Sequence, residues 1–160
     1  MTTSTKPTVR EAKQVIDNNY QRFMDCQFID PLALDIIGYS VANEIQLRDY
    51  LLGYSRETGD NTLAVKYVKH LIEQGIAEQH RHAFHTVLSA LYYMEGEQAL
   101  AQAELDKARV LNEDYALLKL LTRIYGVGWP NQAFVAMTYE VHPKVLATLE
   151  EMAEMVIEIK

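Results

Sequence analysis

The chain has 160 residues, of which 49% are hydrophobic and 23% charged, with a formal net charge of −7 and a single cysteine. That length supports one domain with its own hydrophobic core, while the acidic balance has the wrong sign for phosphate backbones or anionic membranes. The lone Cys26 excludes an internal disulfide and a cysteine metal cage; it is expected to be an inert filler of a core gap in a reducing compartment. Met1 to Pro7 lacks the apolar run of a signal peptide, and no stretch approaches the roughly 18–20 apolar residues of a spanning helix. The expected location is the cytoplasm. An acidic surface suits a basic partner, and ordinary solubility explains it equally well.

In chain order, residues 1–8 read as a disordered tail, and 9–160 as one helical domain. Thr8 is an N-cap for a helix through Phe23, with Val15, Ile16, Tyr20 and Phe23 at helical spacing. Asp30-Pro31 is a cap followed by a first-turn proline, opening a second helix with Leu34, Ile36 and Ile37. A third helix is predicted over about 43–56 and a fourth over about 61–74, separated by Thr58-Gly59-Asp60-Asn61. Helices follow over about 80–94, 97–111 and 115–125. Gly126-Val127-Gly128-Trp129-Pro130 breaks the pattern. Beyond it a short helix near 131–138 and a last one over about 143–160 are expected. Alternating strand patterns are absent, so the class is all-α.

Sliding the chain by thirty-seven positions aligns Leu51 with Leu88, Gly59 with Gly96, Leu63 with Leu100, Ala64 with Ala101, and Val68 with Leu105. Each copy reads as a helix, a glycine turn and a second helix, giving hairpins over about 44–74 and 80–111. In the second copy Leu88, Ser89, Tyr92, Gly96, Ala101, Leu105 and Ala108 stand at the spacing of the tetratricopeptide-repeat signature, which the segment 82–113 resembles. The match departs at His85, where a large aromatic is usual, and at Glu113, where proline usually closes the unit. The resemblance implies antiparallel helical hairpins stacked in a tetratricopeptide-like array, closed by a C-terminal capping helix.

A longer resemblance overlaps it. The runs Leu47 to Leu52, Leu91 to Ala101 and Asp114 to Leu118, before Gly128-Trp129-Pro130, are similar to the helical C-terminal half of an actinobacterial family of unknown function. That likeness spans about 30–130 and implies an actinobacterial or actinophage origin. The α/β half usual in that family has no counterpart in this sequence.

Chemistry-bearing residues are few. His80, His82 and His85 form the one dense cluster of potential ligands, with His70 upstream. They could hold one edge of a metal site, but lack the His-Glu-x-x-His spacing that supplies two ligands and a general base. The run Glu150, Glu151 and Glu154 fits a solvated helical face. No phosphate loop or nucleophile elbow is present, so no catalytic residue is assigned and no cofactor or metal is expected. In a tetratricopeptide array the first helix of each unit lines the concave, ligand-holding side. This assigns Ala83, Thr86, Ala90, Tyr93 and Met94 to a partner-binding groove. In the last helix Val145, Leu149, Met152, Val156 and Ile159 form an apolar seam, which caps the stack or joins a homodimer. Trp129 is expected to be a core anchor closing its loop, with an exposed binding hot spot as the alternative.

The function expected is therefore a non-catalytic protein–protein interaction module, an adaptor or inhibitor whose partner is another protein rather than a nucleic acid or a membrane. The rivals are a metal-binding protein using His80, His82 and His85, and a homo-oligomer built on the C-terminal seam.

Overall fold

Helix boundaries follow the caps. A computed structural model describes residues 6–159, and among them nine helices and no strand: α1 (Val9–Met24), α2 (Pro31–Asn43), α3 (Ile45–Leu52), α4 (Ser55–Thr58), α5 (Asn61–Gln74), α6 (Glu78–Met94), α7 (Gln98–Leu111), α8 (Ala116–Gly126) and α9 (Asn131–Glu151). At α1 the Thr8 hydroxyl accepts from the Glu11 N–H at 3.2 Å, while the Glu11 carboxylate accepts from the Thr8 N–H at 2.9 Å. This reciprocal box satisfies two otherwise orphaned donors. Asp30 caps α2 ahead of Pro31, and Asp60 caps α5. Gly59 and Gly96 turn the chain at φ values of 77° and 80°, a region that only glycine enters without strain.

The core is organised around α6. Eleven of its residues are buried, so unlike a surface helix it is covered on all sides. α7, α5, α2, α3, α9 and α8 all pack on it. The hairpin of α6 and α7 is closely fitted: Leu88, Ala101, Leu105 and Ala108 are buried, and the Ser89 hydroxyl donates to the Ala101 carbonyl at 2.6 Å. Small side chains at Ser89 and Ala101 permit that approach.

The thirty-seven-residue register is kept in burial, since Leu51, Ala64 and Val68 are as enclosed as Leu88, Ala101 and Leu105. The architecture around the first copy differs. Its leading helix stops at Leu52, and α4 intervenes before α5, which packs chiefly on α6 and α4.

Two boundaries correct the expectations. The separate helices near 131–138 and from 143 are one helix, α9, which runs through Pro143. Proline removes one helical hydrogen bond, at a cost of about 3 kcal/mol in a helix interior. Burial of Phe134, Thr138, His142, Val145 and Leu149 along one face offsets that cost. The helix also ends at Glu151 rather than 160. Beyond it the chain turns and runs back along residues 6–10. Val9 N donates to Met155 O at 2.9 Å, Arg10 N to Ala153 O at 3.0 Å, and Ile157 N to Pro7 O at 3.0 Å. Lys6–Glu158 and Arg10–Glu154 ion pairs flank this clasp. Of the expected disordered tail, residues 6–8 are therefore held in place, and 1–5 lie outside the described residues. Cys26, expected in the core, is exposed in the turn after α1.

The clasp has a stability consequence. Ile157 is buried, and its carbonyl accepts from Tyr39 Oη at 2.8 Å. A chain ending at Met152 should lose about 3 kcal/mol or more, from one buried isoleucine and several hydrogen bonds. Ile157→Ala alone should reproduce about 2 kcal/mol or more of it. Denaturant midpoints measure both, and a truncated chain as stable as the whole would show the clasp to be idle.

Candidate functional site

The site is a cleft between α3, α8 and α9. Leu117, Leu121 and Ile124 recur along α8 at helical spacing and form one wall, Phe134, Met137, Thr138, Val141 and His142 of α9 form the second, and Arg48, Asp49, Leu52 and Gly53 close the end. The cavity measures about 300 Å³. Its floor of Leu117, Leu121, Ile124 and Phe134 is buried, whereas the rim residues Leu120, Trp129 and Val141 are 43%, 40% and 40% exposed. Large apolar side chains left open around an apolar floor are the usual composition of a binding surface.

Arg48, Asp49, Thr138 and His142 are the polar residues that line the cleft. Arg48 hydrogen-bonds the Asp49 carboxylate through Nε and Nη2 at 3.1 and 3.0 Å, and its guanidinium lies 5.8 Å from the Tyr115 ring centre. Burial works against its charge, but Asp49 and Tyr115 outweigh that and raise its pKa further, so Arg48 is a fixed cation. His142 is 4% exposed, its Nε2–H donating to the Glu57 carboxylate at 2.7 Å. Its ring stacks on Tyr50 with centres 5.7 Å apart. On its other side Nδ1 meets Gly53, where a Cβ would stand 2.6 Å away.

Behind His142 runs a polar line that stiffens the wall. Tyr50 and Tyr54 both donate to Asp17 Oδ1 at 2.8 Å, and Lys13 reaches Asp17 Oδ2 at 3.0 Å. Burial first, and then the Asp17 charge, push both phenols far above the ordinary tyrosine value. They therefore stay protonated and donate at any physiological pH.

Of the five residues assigned to a groove, Ala83, Thr86, Ala90, Tyr93 and Met94, all are buried. In this part of the fold α2, α3 and α9 all pack on α6. Thr86 bonds its own helix at His82 O, and Tyr93 stacks on Tyr125 and donates to the Trp129 carbonyl. The apolar seam is also divided. Val145 and Leu149 are buried and Met152 packs on the core, while Val156 and Ile159 are exposed beyond the end of α9. A helix that stops at Glu151 cannot present all five on one face. Trp129 is half-exposed on the cleft rim and not a core anchor; its backbone, through Tyr93, closes the loop.

The histidines have separate neighbours. His80 packs beside Gly38 and Tyr39, His82 stands edge-on to Tyr115 at 4.6 Å, and His70 lies against Phe23. His85 Nδ1–H donates to Glu104 Oε1 at 2.7 Å, and Lys107 reaches the other oxygen at 2.9 Å. Among the described residues no group of three or more His, Cys, Asp or Glu side chains could hold a metal ion. The departure from the repeat signature at His85 thus becomes a polar link between α6 and α7.

That link titrates. Burial alone would raise the Glu104 carboxyl, but the hydrogen bonds from His85 and Lys107 outweigh it and hold it below the usual range. A depressed folded value adds stability that is complete above the unfolded value of about 4.3 and is lost as pH falls through the folded one. Glu104→Gln should flatten the unfolding midpoint against pH below about 4.5 relative to the parent chain. An unchanged acid slope would remove Glu104 from the account.

The fold and cleft define an all-helical protein, and no helix among the described residues is long and apolar enough to cross a membrane. Comparison with protein-family models, curated proteins and solved structures finds no match for the chain.

Proposed function

We propose that this chain is a non-catalytic protein–protein interaction module, an adaptor or inhibitor that receives an apolar segment of another protein in the cleft between α3, α8 and α9. The observation that carries the reading is the open rim of Leu120, Trp129 and Val141 over a buried apolar floor. Most polar groups beside it are held within the chain, while the buried His142 Nδ1 has no hydrogen-bond partner among the described residues. His142 Nε2 is committed to Glu57, Arg48 to Asp49, and the Thr138 hydroxyl to the Val135 carbonyl. On this reading α6 and α7 are a tetratricopeptide-like unit whose usual groove is filled by the chain's own helices, and the binding surface has moved to the outer side of α8 and α9.

Selection from a random peptide library tests it. Peptides enriched on the wild type should bind with micromolar Kd or better and lose at least about tenfold in affinity on Leu120→Glu and Met137→Glu, a change of about 1.4 kcal/mol. Leu120 is exposed and Met137 is partly buried against the core, so the unfolding midpoint of each variant, measured alongside, should show that the fold persists. No enrichment, or peptides indifferent to both substitutions, would contradict the reading.

A further inference from the structure

The charge on α8 is distributed against that of the chain. The sequence as a whole carries −7, yet α8, Ala116 to Gly126, contains Lys119 and Arg123 and no acidic residue. Helical geometry at 100° per residue places Ala116, Leu120, Arg123 and Val127 on one outward stripe, with Lys119 beside it. Leu120 and Val127 are exposed on that stripe, and Trp129 follows them. On the far side of the stripe Arg109, Lys119, Thr122 and Arg123 line a shallow depression that also includes Glu113. Arg109 enters it by donating to Thr122 Oγ1 at 3.0 Å while pairing with Asp106. Lys119 has only a 3.7 Å pair with Asp114, both largely exposed, and Arg123 has no ion pair among the described residues. Such an exposed pair holds its cation weakly. α8 is therefore an amphipathic helix without acidic residues, with the apolar cleft along one flank and, along the other, the weakly paired Lys119 and Arg123, which has no ion pair among the described residues.

We propose that the occupant of the cleft is an acidic amphipathic helix of another protein, lying along α8 with its apolar residues in the cleft and its carboxylates against Lys119, Arg123 and Arg109. The inference rests on the cleft being the binding site and adds the chemistry of the partner. Apolar anchors read at helical spacing supply the affinity. Charge complementarity sets the preference and the association rate. It also confers salt sensitivity, because the cations are solvated. A basic partner, which the net charge alone would favour, meets Lys119 and Arg123 on α8 and no carboxylate of that helix.

Two synthetic peptides of about 18 residues, five helical turns, serve as probes. They share one leucine- and tryptophan-rich face and differ only in bearing glutamate or lysine on the other. Fluorescence anisotropy with the full chain should show the glutamate peptide binding at least about tenfold more tightly at low salt, a difference of about 1.4 kcal/mol. High salt should narrow that gap. Lys119→Glu with Arg123→Glu should abolish it and leave the unfolding midpoint close to that of the wild type. Equal binding of the two peptides, with both lost on Leu120→Glu, overturns the charge inference and leaves the cleft reading standing. Binding of neither peptide tells against the cleft itself. A concentration-dependent dimer that Leu120→Glu dissolves would place a second copy in the cleft and overturn the proposal.

Discussion

Asp17→Ala is expected to destabilise the protein by about 2–5 kcal/mol, because it strands two buried phenols at about 1–3 kcal/mol each. Tyr50 and Tyr54 are almost wholly enclosed, and both direct their hydroxyls at the single oxygen Asp17 Oδ1. Tyr67 lies against Tyr54 but donates instead to the Ile16 carbonyl at 2.6 Å. Its hydroxyl is therefore already committed and cannot replace the carboxylate as an acceptor for the other two phenols. At this chain length the loss corresponds to an unfolding midpoint lower by roughly 5–15 °C. Lys13→Ala removes only the half-exposed partner of the same carboxylate and should change stability by less than about 1 kcal/mol. Asp17→Asn keeps one acceptor and should fall between the two. Calorimetry on the three variants decides it, and equal midpoints for Asp17→Ala and Lys13→Ala would show that the phenols find other partners.

Gly53→Ala is expected to be nearly as damaging, although it adds one methyl group. The backbone there is ordinary, with φ of −96°, so the effect is steric. The new Cβ would stand 2.6 Å from His142 Nδ1 and 3.4 Å from Cγ. The imidazole cannot retreat freely, because Tyr50 stacks on its face and Glu57 holds Nε2. Overpacking of this kind costs about 1–3 kcal/mol, and loss of the Glu57 bond adds about 1 kcal/mol or more. His142→Ala should make Gly53→Ala nearly harmless, since the atom it strikes is gone. The two changes should thus be strongly non-additive in a double-mutant cycle. Additive losses would place the strain elsewhere. Because Gly53 and His142 both line the cleft, Gly53→Ala should also weaken peptide binding.

Much of the fold was legible in the sequence because it is carried by local signals. Thr8, Asp30-Pro31, Asp60 and the glycines at 59 and 96 fix helix ends within a turn or two of the chain. Leu88, Ala101, Leu105 and Ala108 follow from the internal register and from the spacing of the repeat they resemble. Where local rules gave the wrong boundary, long-range packing had overridden them: Pro143 lies inside a helix because five buried side chains of α9 hold it there. The end of α9 is set by pairing with residues 6–10, more than 140 positions away in the chain, and nothing near Glu151 announces it.

The site was less legible. The small residues Ala83, Thr86 and Ala90 suit a groove and a buried helix contact equally, and only the packing of other helices on α6 buries them. The cleft draws on Gly53, Leu120, Trp129 and His142, which are scattered over nearly ninety positions and share no motif. Trp129 in its glycine–proline loop is the one visible signal, and the structure leaves its side chain exposed rather than in the core. The Asp17 network was invisible because its members sit thirty-three and thirty-seven residues apart. The basic character of α8 stands plainly in the sequence, but it acquires meaning only beside an open apolar wall.

Trp129 is the sole tryptophan of the chain and stands on the rim of the cleft, so its indole ¹⁵N–¹H resonance reports directly on the central claim. Titration with a peptide of alternating apolar and acidic helical faces should shift that resonance saturably in the wild type and leave it unmoved in Leu120→Glu. An indole signal that stays fixed while resonances elsewhere on the protein move would contradict the assignment of the cleft as the binding site.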